Sequence, residues 1–170
     1  MNEINWPNGY VPGFCDNYAS NEVIVANLTM ADVWPLLNNA SLWSSYYGNA
    51  SNVRFHDGKG PQLERAMRFS FETFGVPVEA EVVEYAPPAN GTPARLAWHA
   101  WAGDGDGRVD VHHAWLLEDL SGGRVRVLTQ ETQNGKPAQE MARMKPNPAI
   151  NAHQDWLDGL ISTAQKRTSR

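Results

Sequence analysis

His113 and Glu131 are the residues whose types and spacing suit acid–base chemistry. Each falls at an inward position of a period-two run, and the two runs are joined by a turn near Gly122. That makes them cross-strand neighbours, with Thr129 beside them. Keeping inward residues opposite each other sets His113 against Thr129 or against Glu131, and a slip of one pair decides which. A histidine beside a buried carboxylate has its proton position fixed and its pKa moved. Such a pair could act as general base or acid, with Glu131 setting the tautomer. It could also orient a bound molecule, or simply pack as a hydrogen-bonded core histidine. His153 lies among Ile150 and Leu157 and has the same alternatives: facing a ligand, or buried and capped by a carbonyl.

Other chemistry-bearing residues lead less far. His99 and His112 both face outward and could be cross-strand neighbours, but two histidines without a third ligand make a poor metal site. Asp104-Gly105-Asp106-Gly107 lacks the later glycine and terminal acid of a calcium loop, so it reads as a hairpin loop. Cys15 is the single cysteine, with nothing nearby to make it a thiolate. No Gly-rich phosphate cradle, nucleophile elbow or His-Glu-x-x-His occurs. No cofactor and no metal are expected.

The elements that position these residues come from the pattern of the remaining chain. Its 170 residues suit one domain, with 42% hydrophobic and 19% charged residues. A net charge of -5 argues against nucleic acid and anionic membranes as partners. The basic cluster Lys166, Arg167 and Arg170 reads as a solvated tail. Absence of a disulfide, of a signal-peptide pattern and of a long apolar run suggests a cytoplasmic protein without membrane insertion. Nothing here opposes a homodimer.

Residues 1–20 read as an irregular leader, rich in Pro, Gly and Asn, whose Trp6, Tyr10, Phe14 and Tyr18 pack it on the body. A helix-grip body over 21–166 follows. A strand at 22–27 precedes a short helix at 30–38, started by Thr29 and Asp32. Pro35 fits if that helix begins at Asp32. A second short helical piece covers 41–47. Strands are expected at 52–56, 65–74, 76–85, 95–101, 108–118 and 124–132, with turn residues between them. A helix at 137–145 stops before Pro146, and Asn147 caps a final helix with Pro148 at its first position.

Charged residues set strand parity. Outward Glu79 and Glu81 turn Val78 and Ala80 inward, and outward Arg68 and Glu72 do the same for Met67, Phe69 and Phe71. Outward Arg95 puts Trp98 inside, and outward Arg108 and Asp110 put His113 and Trp115 inside. Outward Arg124 and Arg126 leave Thr129 and Glu131 inside. Seven tryptophans exceed what a small core needs, and Trp is placed most easily where its ring edge finds a partner or a cavity.

The segments Asp32-Val33-Trp34-Pro35-Leu36-Leu37, Leu42-Trp43 and His113-Ala114-Trp115-Leu116-Leu117, with the strand meander and the closing helix, resemble the SRPBCC superfamily. This is the START, birch-pollen-allergen-like and polyketide cyclase/dehydratase group. The resemblance covers about residues 20–165; the leader and the Pro146–Pro148 break depart from it. It implies an α+β helix-grip fold: a curved seven-stranded antiparallel sheet wrapped around a long C-terminal helix, two short helices lying between the first two strands. It also implies a deep apolar cavity between sheet and helix, and it carries over no shared catalytic set.

The expected function is binding of a small, mostly hydrophobic ligand, lipid-like or aromatic and polyketide-like. Met67, Phe69, Phe71, Val78, Ala80, Trp98, Trp115 and Leu157 would supply burial. His113, Thr129, Glu131 and His153 would orient the guest, and Tyr46 and Tyr47 could gate its entrance. Two alternatives stand. One is a cyclase/dehydratase-type enzyme using His113 and Glu131 without metal. The other is an interaction module, such as a chaperone cofactor, using the outward face with Trp101, Leu116 and Leu128.

Overall fold

The computed structural model describes residues 1–169. Arg170, counted with Lys166 and Arg167 in the basic tail, lies outside the described residues. The period-two runs become β1 (Asn17–Ala26), β2 (Ser51–Phe55), β3 (Arg68–Thr73), β4 (Val76–Ala86), β5 (Ala94–Ala102), β6 (Val109–Leu120) and β7 (Arg124–Asn134). They form one antiparallel sheet in the order β1-β7-β6-β5-β4-β3-β2. Tight connections make neighbours of β3 through β7. At Phe74-Gly75, both central residues adopt positive φ, 51° and 72°, as a two-residue hairpin with the sheet's twist requires. Register shifts at Val82/Glu84 and Ser51/Arg54 help bend the sheet.

The chain crosses from one sheet edge to the other, β1 to β2, through α1 (Met30–Asn38), a 3-10 turn (Ala40–Leu42) and α2 (Trp43–Tyr46). The Asp32 carboxylate accepts from the backbone N–H of Thr29 at 2.8 Å and from its hydroxyl at 2.7 Å. The helix starts at Met30, so Pro35 lies inside it rather than in the first turn. Ala31 and Pro35 are exposed, so the carbonyl that the proline leaves without a helical partner lies on the solvent side of α1. After β7 come α3 (Lys136–Arg143) and α4 (Pro148–Thr168), the latter capped by the Asn147 side chain at 3.1 Å from Ala149 N.

Helix α4 lies across the concave face, and at β1 side-chain hydrogen bonds add to the apolar packing of Val23 and Val25. Asn21 Nδ2 donates to Ile150 O and to Gln154 Oε1, each at 3.1 Å. Asn147 Nδ2 donates to Asn17 Oδ1 at 2.7 Å. These inward asparagines are why 17–20, read as leader, belong to β1: the strand alternates, but with polar residues on the buried side. At the other side of α4, Gly159 meets α2. A Cβ there would sit 1.9 Å from the Tyr46 carbonyl oxygen, so only glycine permits this approach.

The sheet's middle is filled. Trp43, Trp98, Trp115 and Trp156 interlock there with Phe69 and Phe71, ring centroids 5.1–6.1 Å apart for the Trp43 and Trp98 contacts. Such edge-on and tilted pairs add to what burial alone contributes. A bent sheet around a helix therefore does not leave its whole centre open, and free space survives at one end.

The convex face is covered too. Ile4 packs with Ala97, Ala114, Leu116 and Leu128 in a second, smaller core. Asn2 Nδ2 donates to Glu118 at 2.6 Å, and Arg126 donates to the Asn2 carbonyl at 2.9 Å. Arg126, expected to face water, is buried between Glu22 and Glu118. Leu116 and Leu128, expected on an open outward face, lie beneath the leader for the same reason. Among the described residues no helix is long and apolar enough to cross a membrane.

Candidate functional site

A cavity of about 360 Å³ opens where β3–β7 run out beneath α3. Phe71, Val78, Trp98 and Val111 form its sheet wall, Trp156 and His153 come from α4, and Pro137, Ala138 and Met141 come from α3. The hairpin residues Phe74 and Val76 border it and are each 47% exposed, marking the rim. Phe74 is fixed in its left-handed conformation by the Asn49 side chain, which accepts from its backbone N–H at 2.7 Å. Lys136 pairs with Asp106 and ties the start of α3 to the β5–β6 loop.

The wall is apolar except at one pole. The β6–β7 register puts His113 opposite Glu131 and Trp115 opposite Thr129. His113 nevertheless reaches both candidates: its Nδ1 lies 3.1 Å from Glu131 Oε2 and its Nε2 lies 2.8 Å from Thr129 Oγ1. From α4, His153 Nε2 approaches the same Oε2 at 3.4 Å. The two imidazoles stack with centroids 4.5 Å apart. Gln133 Nε2 donates to the other carboxylate oxygen, Oε1. His113, Thr129, Glu131, Gln133 and His153 are all buried. His113, Glu131 and His153 each offer a ligand atom, and these atoms lie within 4.8 Å of one another.

Burial dominates the electrostatics of His113. It pushes the imidazole down to about 3, against the pull of Glu131, because a charged ring cannot be hydrated there. Burial works to raise Glu131, but His153, His113 and the Gln133 amide favour the carboxylate and hold it below its ordinary range. The pole thus combines a carboxylate with a neutral His113. This arrangement can accept hydrogen bonds from a guest, pass a proton through His113, or ligate a cation.

The sequence-derived residues divide by depth. Phe71, Val78, Trp98, His113, Glu131 and His153 line the cavity. Met67, Phe69, Ala80, Trp115 and Leu157 are buried in the filled core beside it, and Thr129 acts on the site through His113. Tyr47 lines the inner wall, stacked on Trp156 at 4.4 Å. Tyr46 lies away from the cavity, its hydroxyl donating to Leu36 O at 3.0 Å. The rim is instead Phe74 and Val76, expected only as the strand ends on either side of Gly75. Gln133 and the α3 residues were not read as site residues. Gln133 continues the inward alternation one step past the expected strand end, and Pro137, Ala138 and Met141 share one side of a helix by spacing.

On the convex side His99 and His112 are indeed paired across β5 and β6. Tyr10 lies 5.6 Å from His99 and 6.0 Å from His112, and the Asp110 carboxylate lies 3.4 Å from His99 Nε2.

Neither a protein-family model nor a curated protein matches the sequence. Among solved structures, the chain is similar to hypothetical protein jhp0584 from Helicobacter pylori, with 45% identity over 96% of this chain and 97% of that one, at a TM-score of 0.92. More distantly it is similar to the di-domain ARO/CYC protein BexL of the BE-7585A biosynthetic pathway. There the identity is 13%, the coverage 85% of this chain and 45% of that one, and the TM-score 0.59. A norcoclaurine synthase from Thalictrum shares 8% identity over 89% of this chain and 96% of that one, at a TM-score of 0.60. The last two likenesses show the shared fold.

Proposed function

For this chain, which belongs to the same family as jhp0584 of Helicobacter pylori, we propose a role as a binding protein of the SRPBCC superfamily for a small, mostly apolar ligand. The observation that carries this reading is the cavity of about 360 Å³, apolar on its long walls and polar at one pole. Aromatic side chains from both the sheet and α4 favour a flat, ring-bearing guest: Phe71, Trp98 and Trp156 offer faces and edges for stacking. Glu131 favours a guest that presents a hydroxyl or amine at its end, since an ionised carboxylate only accepts hydrogen bonds. The shared fold of BexL and norcoclaurine synthase supports the superfamily assignment and is compatible with either binding or turnover.

A second reading, acid–base catalysis of the cyclase/dehydratase kind, rests on one geometric fact. His113 is within hydrogen-bond reach of Glu131 and forms part of the cavity wall. The interaction-module reading keeps only the half-buried Trp101 of its three outward residues, because Leu116 and Leu128 are already covered by the leader.

Titration with hydroxylated naphthalenes, followed by tryptophan fluorescence, tests the binding reading. Saturable quenching is expected for the native chain. Val78→Trp, which fills the cavity from β4, should abolish it. Glu131→Gln should weaken it about tenfold, the loss of one charge-assisted hydrogen bond. Quenching that is absent from the native chain, or unchanged in Val78→Trp, would contradict the reading. Release of a product that disappears in His113→Ala would favour the catalytic version.

A further inference from the structure

We propose that His113, Glu131 and His153 form a site for one divalent transition-metal ion of the zinc class, with an open coordination position turned to the cavity. The ligand atoms are His113 Nδ1, Glu131 Oε2 and His153 Nε2. An ion with tetrahedral bonds of about 2.0–2.1 Å holds its ligand atoms about 3.3 Å apart. The two separations to Oε2, 3.1 and 3.4 Å, already have that value. The third edge lies within 4.8 Å, so ligation requires the stacked rings to tilt together at their nitrogen sides.

The surroundings are those of a ligand set rather than of a chance contact. Gln133 occupies Oε1 and thereby turns Oε2 to the histidines. Thr129 Oγ1, 2.8 Å from His113 Nε2, accepts the proton that this nitrogen carries once Nδ1 ligates. Among the described residues His153 has no such outer partner for its Nδ1, so the ion itself would orient that ring. Two imidazoles and one carboxylate suit zinc, cobalt or nickel; magnesium and calcium prefer all-oxygen sets. Three protein ligands, all in the cavity wall, leave the remaining position to an oxygen or nitrogen donor entering there. In the metal-bound form His113 and Glu131 are engaged and cannot also act as acid and base.

Zn²⁺ titrated into the chelator-treated full chain by calorimetry, with Co²⁺ followed by visible absorption, tests this. One equivalent should bind, and Co²⁺ should give the intense bands of a low-coordinate site. Glu131→Ala and His153→Ala should each weaken binding at least a hundredfold, and Thr129→Val about tenfold, the range seen for outer-shell partners. Should either alanine variant unfold, His153→Gln keeps the packing volume and should lose Zn²⁺ equally. His99→Ala, on the convex face, should change nothing. No uptake by the native chain, uptake that survives both ligand variants, or uptake abolished by His99→Ala would overturn the proposal. Neither arm needs an organic guest, so its failure is distinct from failure of the ligand reading.

Discussion

His112 and His113 are consecutive on β6, yet they belong to two different worlds. His113 points into the concave side, where Glu131, Thr129 and His153 supply polar partners and a cavity begins. His112 points to the convex side, where Trp6 and Tyr10 cover it and its Nε2 has no partner. Both rings have lost water, and burial holds both down, His112 to about 4 and His113 to about 3. Depressed titration therefore does not mark the site; only the concave histidine combines it with a positioned carboxylate and free space. The convex cover, formed by the leader, packs on the sheet, while the concave cover, α4, also supplies the site residues His153 and Trp156.

The sharpest break of this comparison is Trp156→Ala against Ile4→Ala. Trp156 touches Trp43, Tyr47, Trp98, His113 and Trp115, and its truncation should cost about 3–5 kcal/mol by denaturant melt and abolish guest binding as well. Ile4→Ala should cost about 2 kcal/mol while guest affinity stays unchanged. Equal effects of both variants on affinity would mean that the two faces are coupled. Next in size is Gly159→Ala. Its Cβ would collide with the Tyr46 carbonyl, so α4 must move off α2, at about 1–3 kcal/mol, and cavity binding should fall with stability.

The smallest effect concerns pH. The folded pKa of His112 lies below the ordinary histidine value, mainly through burial and then through His99. Between about 6.5 and about 4 the unfolded chain takes up more protons, so stability present above that window is lost as pH falls through it. Trp6→Ala should raise the His112 titration midpoint, read by its ring-proton NMR shift, and flatten stability across the window. A midpoint unmoved by Trp6→Ala would remove the leader as the cause.

Strand parity was legible because charges alternate with apolar residues: outward Glu79 and Glu81 leave Val78 and Ala80 turned inward. The Thr29–Asp32 capping pair of α1 and the Asn147–Pro148 opening of α4 were legible from capping chemistry. The neighbourhood of His113, Thr129 and Glu131 was legible up to a register slip, and the structure shows why either choice was workable, since the ring bridges both. Convergence of His153 was not legible. It depends on how α4 docks, which rests on the contact of Gly159 with a carbonyl and on Asn21 side-chain bonds, and no local pattern encodes these. The first turn of β1 was missed because Asn17 and Asn21 occupy buried positions where apolar residues are the usual signal. The leader's packing on the body was anticipated from its aromatics, of which Trp6 and Tyr10 cover the sheet while Phe14 is 88% exposed; that it would bury Arg126 and Leu116 follows from tertiary placement alone.

Native mass spectrometry of the freshly purified chain addresses the central claim most directly. The account predicts a bound organic molecule, extractable into solvent and absent from the Val78→Trp chain prepared in the same way. Bare protein mass for the native chain, unchanged after incubation with hydroxylated aromatics, would contradict it.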